Sequence, residues 1–199
     1  SRVYPRPQHM ELSSKWTTVK EVSVRKRGRK SRGGLWSKLP EVKEGYAISI
    51  ADGKLTVYAN DDAGVFYARQ TICQLLRGAE DALDAHKDPF PSDSLEEVAR
   101  KGKLPAGTVI DWPDLPYRGV VEGYYGIPWS TEARLAQLDF YGRNKLNTYI
   151  YAPKDDPYHH GAGCYELYPE DKAAELKKVV AHARRNHVRF FWAIHPANT

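Results

Sequence analysis

Three apolar runs, Gly119 to Tyr125, Thr148 to Ala152 and Val188 to Ile194, are separated by two stretches in which apolar residues recur at helical spacing. In the first stretch Ser130 is placed to cap a helix whose Leu135, Leu138 and Gly142 share a face. In the second, Pro169 starts a helix with Ala173, Leu176, Val180 and Ala183 on one side. Strands alternating with helices of about four turns pair in parallel through right-handed crossovers, which predicts an α/β sheet. Polar residues collect where each run ends: Glu122, Tyr124 and Tyr125, then Lys154, Asp155, Asp156 and His159, then His195. In a barrel or open α/β sheet that edge carries the ligand site.

Upstream of residue 110 the pattern differs. Tyr46 to Ile50 and Leu55 to Ala59 alternate as strands and are joined across Asp52-Gly53, a hairpin signal. Asn60, Asp61 and Asp62 are candidate caps for a helix carrying Val65, Ala68, Ile72 and Leu75 and stopped by Gly78. This predicts a small strand-strand-helix unit. Residues 79–110, rich in Asp, Pro, Ser and Lys, read as an irregular connection with one short helix at Leu95 to Arg100. The expected organisation is therefore a small α/β domain over residues 1–110, with the linker at its end, and a second α/β domain over 111–199.

The 199 residues, 41% of them hydrophobic, can supply a core, and no run reaches the roughly 18 to 20 apolar residues of a membrane span. Ser1 is followed by no charged-then-apolar leader pattern. Cys73 and Cys164 stand in no disulfide framework or thiolate ligand spacing, and His159, His160 and Cys164 lack a second coordinating pair, so neither a metal nor a cofactor is expected. The basic stretch "RKRGRKSR", Arg25 to Arg32, reads as a polar loop, with a localisation signal or contact to an acidic partner as the alternatives and nucleic acid not the expected partner.

At the first strand end, Gly123 and Gly126 allow close approach to the backbone, while Tyr124 and Tyr125 offer apolar faces and hydroxyls. Taken alone, these residues read first as a tight strand-to-helix turn with core aromatics, with a sugar subsite as the alternative. Lys154 is a compact cationic donor for a sugar hydroxyl or a solvated surface lysine. Asp155 and Asp156 are read as anchors of their loop, Trp129 as structural, and His195 as a structural or pocket-floor residue.

"YRGVVEGYYGIPWS", "LDFYGRNKLNTYIYAPKDDPYH" and "FFWAIHPA" together resemble the start of the catalytic barrel of family 84 glycoside hydrolases, the β-N-acetylglucosaminidases that include O-GlcNAcases and bacterial enzymes once called hyaluronidases. "VYPRPQ" and "DDAGVFYARQTICQLL" resemble the ends of the small domain that precedes that barrel. Between those ends the family carries a longer segment, and this sequence has the basic "RKRGRKSRGGLWSKLP". The resemblance implies a small N-terminal α/β domain followed by the first three βα units of a TIM (β/α)8 barrel, left incomplete. It implies that the Gly123 carbonyl, Tyr125 and Lys154 hold a terminal N-acetylglucosamine, with Tyr124 where the family has Phe.

The chemistry implied by the resemblance is substrate-assisted. The 2-acetamido oxygen attacks the anomeric carbon, and water opens the resulting oxazoline with net retention. Two aspartates that serve this reaction follow the fourth barrel strand in the family, beyond Thr199, so no catalytic residue is expected in this chain. The expected function is the N-terminal part of a β-N-acetylglucosaminidase acting on GlcNAc-bearing glycans or glycoproteins, with the chain alone inactive. The alternative is a non-catalytic carbohydrate-binding or interaction module. The partners expected are such a substrate, the remainder of the enzyme or a second copy, with no membrane. The localisation is open, with a secreted or periplasmic destination favoured for a bacterial source.

Overall fold

The computed structural model describes residues 5–77, 93–123, 125–159, 163 and 166–193. The chain forms two compact units, Ser1–Pro116 and Tyr117–Thr199.

Unit 1 is a five-stranded sheet with helices. Its strands are β1 (His9–Thr18), β2 (Glu21–Lys26), β3 (Tyr46–Ala51), β4 (Lys54–Ala59) and β5 (Lys103–Asp111), with a 3₁₀ turn at Gly34–Ser37 and helices α1 (Asp62–Arg77) and α2 (Leu95–Ala99). The order is β1-β5-β3-β4-β2, antiparallel except where β2 runs parallel to β4. The hairpin expected at Asp52-Gly53 joins β3 to β4. Both turn residues have positive φ, 47° and 79°, the mirror-image geometry that matches strand twist. Asp61 accepts from Gly64 N at 2.8 Å and thereby caps α1, while its other oxygen accepts from Glu44 N at 2.9 Å.

Alternation along β3 and β4 divides the core. Tyr46, Ile48, Ile50, Leu55 and Val57 pack with Tyr67, Ala68, Ile72 and Leu75 of α1. Ala47, Leu39 and Ile110 form a second cluster beside Trp36 and Tyr58. The short helix expected near Leu95 is α2, started by Ser94 and Glu97 in a reciprocal capping box.

Two sequence expectations need correction. The irregular connection expected over 79–110 ends instead in a strand, β5, which lies between β1 and β3. Pro105 and Gly107 break its alternation, and a Cβ at Gly107 would lie 2.1 Å from the Glu11 carbonyl, so close strand approach selects the glycine. The expected strand-strand-helix unit is also too small, because β1 and β2 join the sheet. Both are edge strands with few buried residues, so they carry almost no alternation. Arg25 and Lys26 of the basic stretch accordingly lie on β2, and only the remainder is loop.

Unit 2 contains β6 (Gly119–Glu122), α3 (Thr131–Arg143), β7 (Thr148–Tyr151), α4 (Glu170–Arg185) and β8 (Arg189–Trp192). Its sheet is parallel with order β6-β7-β8. Ser130 Oγ accepts from Ala133 N at 3.2 Å to start α3, and Pro169 precedes α4. Leu138, Tyr141, Tyr149, Tyr151, Val179, Ala183 and Val188 form the core, with Leu135, Leu176 and Phe190 packed on it. Asp139 Oδ1 joins the two helices through His182 Nε2 at 2.6 Å and Asn186 Nδ2 at 2.9 Å. At Gly119 a Cβ would sit 1.7 Å from the Thr148 carbonyl, so only glycine permits this β6–β7 approach. Phe191 and Trp192 on β8 remain 42% and 45% exposed.

Candidate functional site

Parallel pairing brings the C-terminal ends of β6 and β7 side by side, and backbone bonding continues past the strands, with Ala152 N donating to the Glu122 carbonyl at 3.0 Å. Glu122, expected among the polar groups of the site, is instead fully buried beneath it. Its carboxylate takes two bonds from the Arg134 guanidinium, at 2.9 and 2.7 Å, one from the Tyr149 hydroxyl, and one from Trp129 N at 3.3 Å. Arg134 comes from the first turn of α3 and also lies 5.0 Å from the Tyr151 ring centre. Burial opposes its charge, but the hydrogen bond and charge of Glu122 prevail and raise its pKa. Burial, reinforced by the Glu122 hydrogen bond, likewise pushes the Tyr149 phenol up. This network fixes where β6 ends and α3 begins.

A second buried carboxylate organises the loop after β7. Asp156 is fully buried and accepts from the Tyr151 hydroxyl, from Tyr168 Oη at 2.9 Å and from Tyr158 N at 3.0 Å, with Lys172 Nζ at 3.4 Å. Burial acts to raise its pKa, yet these hydrogen bonds and the lysine charge outweigh it and hold the carboxyl below the usual value. Tyr168 packs on Tyr158 and Trp192 at 4.7 and 5.0 Å between ring centres. Asp155 is exposed and accepts from Gly126 N at 2.9 Å. That bond ties the loop after β6 to the loop after β7. Gly126 has φ 112°, a conformation that disfavours any side chain.

The expected sugar-contacting residues fall on these two loops. Gly123 follows β6 directly, its absent Cβ facing the Ala152 carbonyl at 3.9 Å. Tyr125 is 84% exposed and Lys154 half-buried. Tyr124, His160, Cys164 and His195 lie outside the described residues. His159 is buried, and its backbone N donates to the Asp156 carbonyl at 3.0 Å. Among the described residues no three His, Cys, Asp or Glu side chains group as metal ligands. An apolar groove of about 440 Å³ lies elsewhere, between α4 and the β7–β8 edge, lined by Tyr151, Tyr168, Leu176, Val180, Phe190 and Trp192.

Sequence reasoning missed Arg134, Tyr149, Tyr151, Tyr168 and Lys172. The available signal was Glu122 itself, a carboxylate inside an apolar strand, which requires buried partners. Arg134 beside the Leu135 and Leu138 stripe and the alternating Tyr149 and Tyr151 were the candidates.

Residues 118–199 match the family described as beta-N-acetylglucosaminidase, and residues 13–112 match glycosyl hydrolase family 20, domain 2. The chain is 42% identical over 78 residues to the protein O-GlcNAcases of Rattus norvegicus and Mus musculus, a stretch covering 39% of this chain and 8% of each relative. The solved structure of CpGH84B superimposes with a TM-score of 0.71 at 27% identity, over 96% of this chain and 36% of that one. That of CpGH84D has the same fold, with a TM-score of 0.69 at 22% identity over 97% of this chain and 37% of that one. The matched stretch thus spans less than a tenth of the mammalian relatives' length, and the chain covers little more than a third of these solved chains.

The family matches and the fold together place the chain among the α/β glycoside hydrolases. Within that class residues 13–112 belong to the glycosyl hydrolase family 20 domain 2, and residues 118–199 are similar to the O-GlcNAcase-like β-N-acetylglucosaminidases of family 84.

Proposed function

We propose that this chain is the N-terminal part of a retaining β-N-acetylglucosaminidase that removes terminal GlcNAc from glycans or glycoproteins. In this reading unit 2 is the opening of the catalytic (β/α)8 barrel, and unit 1 is the small domain before it. The Gly123 carbonyl, Tyr124, Tyr125 and Lys154 hold the sugar. The observation that carries this reading is the bond from Gly126 N to Asp155, which holds the loop of Gly123 and Tyr125 against the loop of Lys154. A backbone carbonyl acceptor, a lysine donor and an exposed aromatic face suit a pyranose ring, whose rim is polar and whose faces are apolar. The substrate's own acetamido oxygen acts as nucleophile, and the aspartates that polarise it and protonate the leaving oxygen belong to a part of the enzyme outside these residues.

The test is NMR of the first product when the enzyme containing this chain cleaves an aryl β-N-acetylglucosaminide. The β-anomer is expected, and first release of the α-anomer overturns the reading. Lys154→Ala in the same enzyme should cost about 1.5 to 3 kcal/mol in kcat/KM, the range for hydrogen bonds to a charged group. An unchanged kcat/KM removes Lys154 from the subsite.

A further inference from the structure

Between Lys20 and Lys43 the sequence holds nine basic and two acidic residues, more than the whole chain's net charge of +5, so the remainder is slightly acidic. The structure places this excess on one border of unit 1, where β2 is an edge strand. Arg25 and Lys26 end β2. Gly28 to Ser31 then form a tight turn, closed by Ser31 N on the Gly28 carbonyl at 2.9 Å and by Gly28 N on Ser31 Oγ at 2.9 Å. Arg29 and Lys30 occupy its corner, Arg32 follows, and all three are exposed.

Arg27 anchors the turn. Its guanidinium donates to Asn60 Oδ1 at 2.6 Å, the Leu39 carbonyl at 2.6 Å and Glu41 at 3.0 Å, and lies 4.8 Å from the Trp36 ring centre. Lys26 pairs with Asp62. Arg29, Lys30 and Arg32 form no ion pair among the described residues. Three neighbouring cations are thus presented at the turn with no ion-pair partner among the described residues.

We propose that β2 and the Gly28–Ser31 turn form a binding surface for a sulfated polysaccharide chain, gripped by Arg29, Lys30 and Arg32. Arginine's planar fork pairs with oxyanions bidentately, and a flexible glycan with successive sulfates can follow a convex turn. Nucleic acid fits less well. Its readers place a helix or ribbon in a groove or offer open aromatic faces to bases. Here the patch contains a turn, and Trp36 is occupied by Arg27 and by Tyr58, which meets it edge-on at 5.2 Å and 88°. A lipid surface would require inserted apolar bulk, whereas Val24 and Val42 are the exposed large apolar residues of this stretch, at 40% and 38%. The proposal stands on unit 1 and is independent of the GlcNAc reading.

The test is calorimetric titration of the chain with a heparin octasaccharide, beside single-stranded and duplex DNA of matched charge. Heparin is expected to bind most tightly, with an affinity that falls steeply as salt rises. Arg29→Ser/Lys30→Ser/Arg32→Ser should lose about tenfold or more, as removal of several anion contacts does. Lys177→Ser/Lys178→Ser/Arg184→Ser removes equal charge from exposed positions of α4 and should retain the affinity. Equal losses in the two triple variants reduce the effect to net charge and overturn the proposal. Tighter binding of either DNA overturns the choice of a glycan.

Discussion

Glu122 and Arg134 show how a single carboxylate can fix local architecture. Both are buried, and each satisfies the other through two hydrogen bonds. Removing one partner leaves an uncompensated buried charge, so Arg134→Ala should destabilise unit 2 by about 3 to 5 kcal/mol in urea unfolding. The double change Glu122→Leu/Arg134→Met should cost less, because no charge is stranded, and a larger cost for the double variant would contradict the pairing account. Asp156 gives a pH dependence of definite sign. Its carboxyl is held below the usual value, so its contribution is complete above the unfolded pKa and is lost as pH falls through the folded one. Chain stability should therefore decline on the acid side, and Asp156→Asn should flatten that limb while lowering stability at neutral pH. Parallel acid limbs for the two proteins would assign the acid loss to other groups.

At the scale of elements, an exposed hydrogen bond joins the two strand-end loops, Gly126 N to Asp155 Oδ2 at 2.9 Å. The buried networks hold the loop bases, with Glu122 under the first and Asp156 under the second, so the tip contact can be removed without unfolding its supports. Asp155→Ala should accelerate hydrogen exchange of the Gly126 amide and leave that of the β7 amides unchanged. Slow exchange at Gly126 in the variant would show that the loop is positioned by something else. The contact also explains why Gly126 is glycine. Its φ of 112° aims the amide at Asp155, and although a Cβ would meet nothing within 4 Å, that backbone conformation excludes other residues on energetic grounds.

For the whole molecule, the two units differ in how well they cover their apolar surface. Unit 1 packs one sheet face under α1 and α2 and has a smaller cluster formed by Leu39, Ala47 and Ile110. Unit 2 leaves Phe191 and Trp192 of β8 exposed beside the apolar groove along α4. A parallel edge strand with exposed aromatics is a template for another strand. The 199-residue chain on its own should therefore self-associate, and Phe191→Ser/Trp192→Ser should reduce that association in sedimentation velocity. A monodisperse parent across a range of concentrations would contradict this expectation.

Much of unit 2 was legible in the sequence because a βα repeat writes two periods into one chain. Val120, Ile150 and Phe190 mark its strands, Leu138 and Ala183 its helices, and parallel order follows from the connections. Asp52-Gly53 fixed its hairpin for the same local reason: few dipeptides tolerate two positive φ values. Local sequence could not reveal β5, whose Pro105 and Gly107 make sense only against the Glu11 backbone, nor β1 and β2, which as edge strands bury too little to impose alternation. The same limit applies to the site. Gly123, Tyr125 and Lys154 could be placed at strand ends by position, because parallel strands align their termini. That Glu122 and Asp156 lie beneath that surface rather than on it depended on Arg134, Tyr149, Tyr168 and Lys172 arriving from other elements, and a buried charge is stable only where the tertiary fold assembles its partners.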